Sequence, residues 1–302
     1  MTPASRPRDR AALLCLLLAA MPAFAQSQSC PPSGWTRASL QAWKASGFAL
    51  PDPAARAALA ATLPACLGDP DPAMRDGIAY EALTHWLRAG DLDTGALRTL
   101  RDALYAMLDA PDPDGFRRPF AALVLSEVAR TDRIRAWMGP EERDAMVARA
   151  ADYLREVRDY RGFDDRDGWR HGVAHGADWL MQLSLNPALA RPQYDRILAA
   201  VARQVPASGG YAYVDGEPGR LARPVLSAAR RGLYSQAEWT AWFAALRAGL
   251  APIAPGDIDR VRLAQRHNLR AFLVELYLEA DRSEDAGVRA LKPALADALK
   301  PG

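Results

Sequence analysis

The feature that most constrains this chain is a succession of amphipathic segments opened by acid–proline pairs and closed by glycine or proline. Asp52-Pro53, Asp71-Pro72 and Asp112-Pro113 each set a side-chain acceptor ahead of a residue with no amide to satisfy, which is the chemistry of a helix N-terminus. Period-2 alternation is nearly absent. The chain therefore reads as all-α, with helices expected over 36–46, 53–63, 72–89, 94–108, 116–129 and 141–157, then 169–183, 194–204, 221–230, 236–250, 258–279 and 286–299. Short connections make neighbouring helices antiparallel. The 41 residues between Asp71 and Asp112 match the period of a HEAT or armadillo helix pair, about 40 to 47 residues. The expected architecture is an array of antiparallel pairs, whose curvature leads at its limit to an α/α toroid. Residues 205–220 are the least helical stretch, with four glycines interleaved with Tyr211 and Tyr213, and read as a loop or short hairpin.

Ahead of these segments, Arg6, Arg8 and Arg10 precede an apolar run over 11–21 and the small-residue pattern Ala23-Phe24-Ala25. This is the pattern of a cleavable signal peptide over 1–25, leaving 26–302 as one helical domain in the periplasm or outside the cell. The run falls short of the roughly 20 residues a membrane span needs, and no later segment is apolar enough to serve as one. A lipid anchor on Cys30 is the less favoured alternative, because Ser27-Gln28-Ser29 is a poor context for it. Cys15 departs with the signal segment. Cys30 and Cys66 then remain in an oxidising compartment and are expected to pair, with two buried thiols as the alternative. The signal segment carries a net charge of +2, the whole of the chain's +2, so the mature protein is near neutral. A nucleic-acid partner is not expected of it.

The polar residues concentrate in residues 164–179, where Trp169, Arg170, His171, His175 and Asp178 follow Asp165 and Asp167. On a helix begun at Trp169, His171, His175 and Asp178 share one face and form a candidate ligand-binding set. Two imidazoles and a carboxylate suit zinc, iron or manganese with positions open to water. Gly172 stands where a zinc-protease helix carries glutamate, so that reading fails. A second catalytic arrangement pairs Asp165 or Asp167 with Asp178 as acid and base. The structural alternative makes the histidines hydrogen-bonded core residues, with Gly172 and Gly176 serving close packing or close approach of a ligand. Arg75-Asp76 reads most simply as a helix start, His267-Asn268 as a partly exposed pair and the tryptophans as packing between helices. No Ser-His-Asp order, phosphate loop or dinucleotide motif is present.

Several blocks resemble the bacterial family labelled domain of unknown function 2785. They are Arg75-Asp76 leading into Tyr80 and Trp86, Arg118 with residues 120–125, the core from Gly168-Trp169-Arg170-His171 to His175-Gly176-Ala177-Asp178, and Asn268-Leu269 with Leu276-Tyr277. The resemblance implies an all-helical, HEAT-like fold and carries no activity with it. Two functions fit the sequence: an exported helical-repeat protein binding a peptide, protein or cell-envelope ligand, and a hydrolase using the His171, His175 and Asp178 cluster.

Overall fold

The computed structural model describes residues 29–250 and 258–300, with Met1 and Gly256; the expected signal peptide lies outside this range. The protein is all-α, with one two-stranded hairpin. In chain order the helices are α1 Arg37–Ala45, α2 Pro53–Thr62, α3 Pro72–Met74, α4 Glu81–Ala89, α5 Thr94–Asp109, α6 Arg117–Ile134 and α7 Pro140–Glu156. After the hairpin β1 Phe163–Asp164 and β2 Gly168–Trp169 come α8 Gly172–Ser184, α9 Arg191–Gln204, α10 Glu217–Arg230, α11 Gln236–Ala248, α12 Arg260–Arg282, α13 Ala286–Arg289 and α14 Lys292–Leu299.

Two of the three Asp-Pro pairs open helices as expected. Asp52 accepts from the amides of Ala54 and Ala55, and Asp71 from that of Ala73. Asp112-Pro113 does not open a helix: residues 112–116 form a turn, and α6 begins at Arg117. Asp112 still caps that helix from a distance, its Oδ2 accepting from the Arg118 amide at 2.9 Å. Between α3 and α4 the expected unbroken helix is interrupted by a π-helical segment, Arg75–Tyr80. The wider turn re-phases the helix and sends the Arg75 side chain fully into the interior.

Helices α4, α6, α8, α10, α12 and α14 stack in one row, each against the next, while α5, α7 and α9 lie behind it. α6 and α8 form the centre. Among the described residues no extensive packing joins the first helices to the last, so the row is open rather than closed into a ring. A buried polar pin holds the outer turn: Asp132 accepts from Arg143 Nε and Asn186 Nδ2, both at 2.7 Å, and from two backbone amides.

The residues over 205–216 form an irregular loop, not a hairpin. Asn268, fully buried on α12, fixes it by accepting from the Tyr213 amide at 2.8 Å and donating to the carbonyls of Tyr211 and Pro206. His267 is exposed. Cys30 and Cys66 are joined in a disulfide that ties the N-terminal arm to the segment after α2. Closing a loop of that length limits the unfolded chain by about 3 to 4 kcal/mol. Cys30→Ser is expected to lower the unfolding free energy by roughly that amount in urea titrations, with the native far-UV spectrum retained.

Candidate functional site

The site is built where the helical row is interrupted. α8 does not begin at Trp169, as the spacing suggested. Trp169 ends the hairpin, and His171 is the N-cap of α8 in the left-handed region, φ 59° and ψ 37°. A non-glycine residue pays roughly 1–2 kcal/mol for that conformation. Its surroundings hold it there: the backbone amide donates to the Arg161 carbonyl at 3.1 Å, and ring Nε2 donates to the Asp215 carbonyl at 2.9 Å. Because a carbonyl only accepts, His171 carries its proton on Nε2. The ring stacks on Trp169, centroids 4.6 Å apart, and Trp169 is itself partly exposed beside exposed Phe163.

One turn further, His175 is buried, with Nδ1 donating to the Pro119 carbonyl at 3.2 Å and its ring edge-on to Phe120. The two imidazoles lie 5.6 Å apart, centroid to centroid. Burial, reinforced by His171 nearby, pushes the His175 pKa down to about 3, and burial also lowers that of His171. Both are neutral at physiological pH. Asp178 follows on the same helix, buried, and accepts from Arg220 and from Arg223 at 3.5 Å, both guanidiniums being partly exposed. Burial raises the Asp178 pKa, and the two arginines oppose that shift without reversing it.

The expected metal set is not assembled. Among the described residues no group of three or more His, Cys, Asp or Glu side chains is placed to hold an ion. Asp178 is held by two arginines, while His171 and His175 each donate one ring N–H to a carbonyl and no further ligand group joins them. The two carboxylates expected to pair with Asp178 both lie on the hairpin before α8. Asp165 lies exposed at the hairpin turn. Asp167 accepts from Arg166, at 2.7 and 3.0 Å, and from Arg170 at 3.3 Å. Those two arginines, Arg166 foremost, pull its pKa down to about 2, so it stays ionised and cannot serve as an acid.

Arg75 reaches this site rather than merely starting a helix. Its guanidinium donates to the carbonyls of Asp69, Pro70 and Asp167, at 3.1, 3.2 and 2.7 Å, and lies 2.8 Å from the Asp76 carboxylate. Arg170 donates to the Asp114 carbonyl at 2.9 Å. Both guanidiniums lie over the Phe116 ring, each 4.1 Å from its centroid. The glycines of α8 serve packing: a Cβ on Gly176 would stand 2.9 Å from Tyr153 of α7, whose hydroxyl donates to the Gly172 carbonyl.

A family model described as a protein of unknown function, DUF2785, matches residues 104–278. The chain belongs to that family. The DUF2785 match contains α6 to α11, most of α12 and the cluster on α8, while the block from Arg75 to Trp86 precedes it. No curated protein and no solved structure matches the chain significantly. Arg220 falls outside the helix expected over 221–230, and Arg223, inside it, carries no local signal that ties it to Asp178. Glu217-Pro218 was the available signal, an acid–proline pair like those that open α2 and α3.

Two outcomes test this geometry. Arg75→Met leaves Asp76 and three carbonyls unpaired and is expected to cost about 3–5 kcal/mol in denaturant unfolding. His175 is neutral in the fold and protonates once unfolded, so its contribution is complete above about pH 6.5 and is lost as pH falls toward about 3. Asp178 runs the other way, its ionisation cost appearing as pH rises above about 3.9. The stability difference between the unaltered protein and His175→Gln therefore isolates the histidine. That difference is expected to shrink from pH 6.5 to pH 4, at up to about 1.4 kcal/mol per pH unit; a constant difference would show that His175 is not held neutral.

Proposed function

We propose that this DUF2785 member is an exported, HEAT-like helical-array protein that binds a cell-envelope ligand at the face formed by Trp169, His171, Asp178 and the α10 arginines. The observation that carries this reading is the left-handed His171. Strained, non-glycine backbone persists where surrounding structure over-determines it, and such positions gather at ligand sites. Here the π segment, the hairpin and the 205–216 loop, all departures from the helical array, converge on the first turns of α8. They leave an indole and two guanidiniums partly open to solvent above a buried carboxylate. That combination offers a stacking surface and fixed N–H donors, the ordinary means of holding a polar ligand.

The binding reading is favoured over the hydrolase because Asp167 and Asp178 are both engaged by arginines and no three ligand groups converge among the described residues. Export is supported by the disulfide and agrees with the finding that no helix among the described residues is long and apolar enough to cross a membrane. The test is sedimentation of the purified mature chain with washed cell envelopes. Binding is expected, and Trp169→Ala combined with Arg223→Ala is expected to weaken it at least tenfold at an unchanged melting temperature. Equal sedimentation of the two proteins, or none of either, would sink the proposal.

A further inference from the structure

Beside the cluster, α10 and α12 wall an open groove of about 330 Å³ that Met181 of α8 and Leu185 just after it also line. That volume stands at the lower end of the range for small-ligand clefts, about 300–1,000 Å³. The two walls carry opposite charge. On α10, Arg220, Arg223 and Arg230 line it, three and seven residues apart and therefore along one stripe. On α12, Glu275 and Glu279 line it, four apart and on one face.

Facing walls of opposite charge normally close into ion pairs, and these do not. Among the described residues the side chains of Glu275, Glu279 and Arg230 make no hydrogen bond or ion pair. The nearest arginine is drawn away: Arg220 binds Asp178 on α8, even though the adjoining Gly219 approaches so closely that a Cβ there would lie 3.6 Å from Glu275 Oε2. Asp178 thus holds one end of the arginine stripe in place and leaves the glutamates uncompensated. Holding exposed like charges beside unneutralised opposite ones serves a guest that carries both.

We infer that the groove takes a short peptide with both termini free, its carboxylate against the α10 arginines and its ammonium against Glu275 and Glu279. This inference rests on the binding reading above and names the ligand class for that face.

The experiment is calorimetric titration of the full mature chain with trialanine, N-acetyl-trialanine and trialanine amide, whose side chains are uncharged. Trialanine is expected to bind at least tenfold more tightly than either blocked peptide. Arg230→Gln is expected to erase the penalty for amidation and Glu275→Gln/Glu279→Gln the penalty for acetylation, a pattern that general destabilisation does not produce. The altered residues are exposed, and circular dichroism checks that the variants fold. Equal binding of the three peptides, or binding of none, overturns the inference. If none binds while sedimentation with envelopes remains sensitive to Trp169, only the ligand class falls. If trialanine binds with the expected pattern while sedimentation fails, the envelope reading falls and the groove assignment stands.

Discussion

The buried guanidinium of Arg75 is the interaction on which the rest of the site depends. A fully buried charge costs several kcal/mol in lost hydration unless it is paired and hydrogen-bonded. Here three carbonyls, a carboxylate and two aromatic rings share that compensation. Besides the neighbouring Asp76, they come from three stretches of chain: the segment leading into α3, the start of α6 and the hairpin before α8. Satisfying one side chain therefore sets the hairpin against α6. The π turn is the backbone adjustment that aims Arg75 inward, and the hairpin delivers His171 to its left-handed position.

From that fixed point the electrostatics of α8 follow by burial. His175 lies so deep that its neutral form is strongly preferred, while Asp178 keeps its charge partners at the rim, where Arg220 and Arg223 remain partly hydrated. A carboxylate committed to two arginines is a poor metal ligand, because binding an ion would first break those contacts. The same commitments suit binding, since they hold Arg220 and Arg223 in fixed orientations at little further entropic cost. The helical row supplies the rigidity: α8 packs through Gly172 and Gly176 onto Tyr153, so its polar face has little freedom to move.

Much was legible in the sequence because it rests on local chemistry. Asp52 and Asp71 cap the helices they announce, the helix order is as the periodicity indicates, and the family follows from the residues around Trp169 and His175. The pairing of Cys30 with Cys66 also follows, from cysteine arithmetic and the expected compartment. Asp112 marks the limit of such reasoning. Its side chain does cap a helix, but Gly115 in the left-handed region turns the chain first, and the capped amide lies six residues away.

By itself, then, the sequence determined an all-helical chain, its family and the stretch in which its polar residues gather, since capping, periodicity and composition are properties of neighbours along the chain. Only the tertiary structure decided what those residues do. His171, His175 and Asp178 share a face at helical spacing whether they bind an ion or pack. Their fates are set by the Asp215 and Pro119 carbonyls and the α10 arginines, which lie 42 to 56 positions away in the chain and meet α8 only in the fold. Arg75 and the Asp167 carbonyl, 92 residues apart, are joined for the same reason: a buried charge takes whatever acceptors packing brings to it.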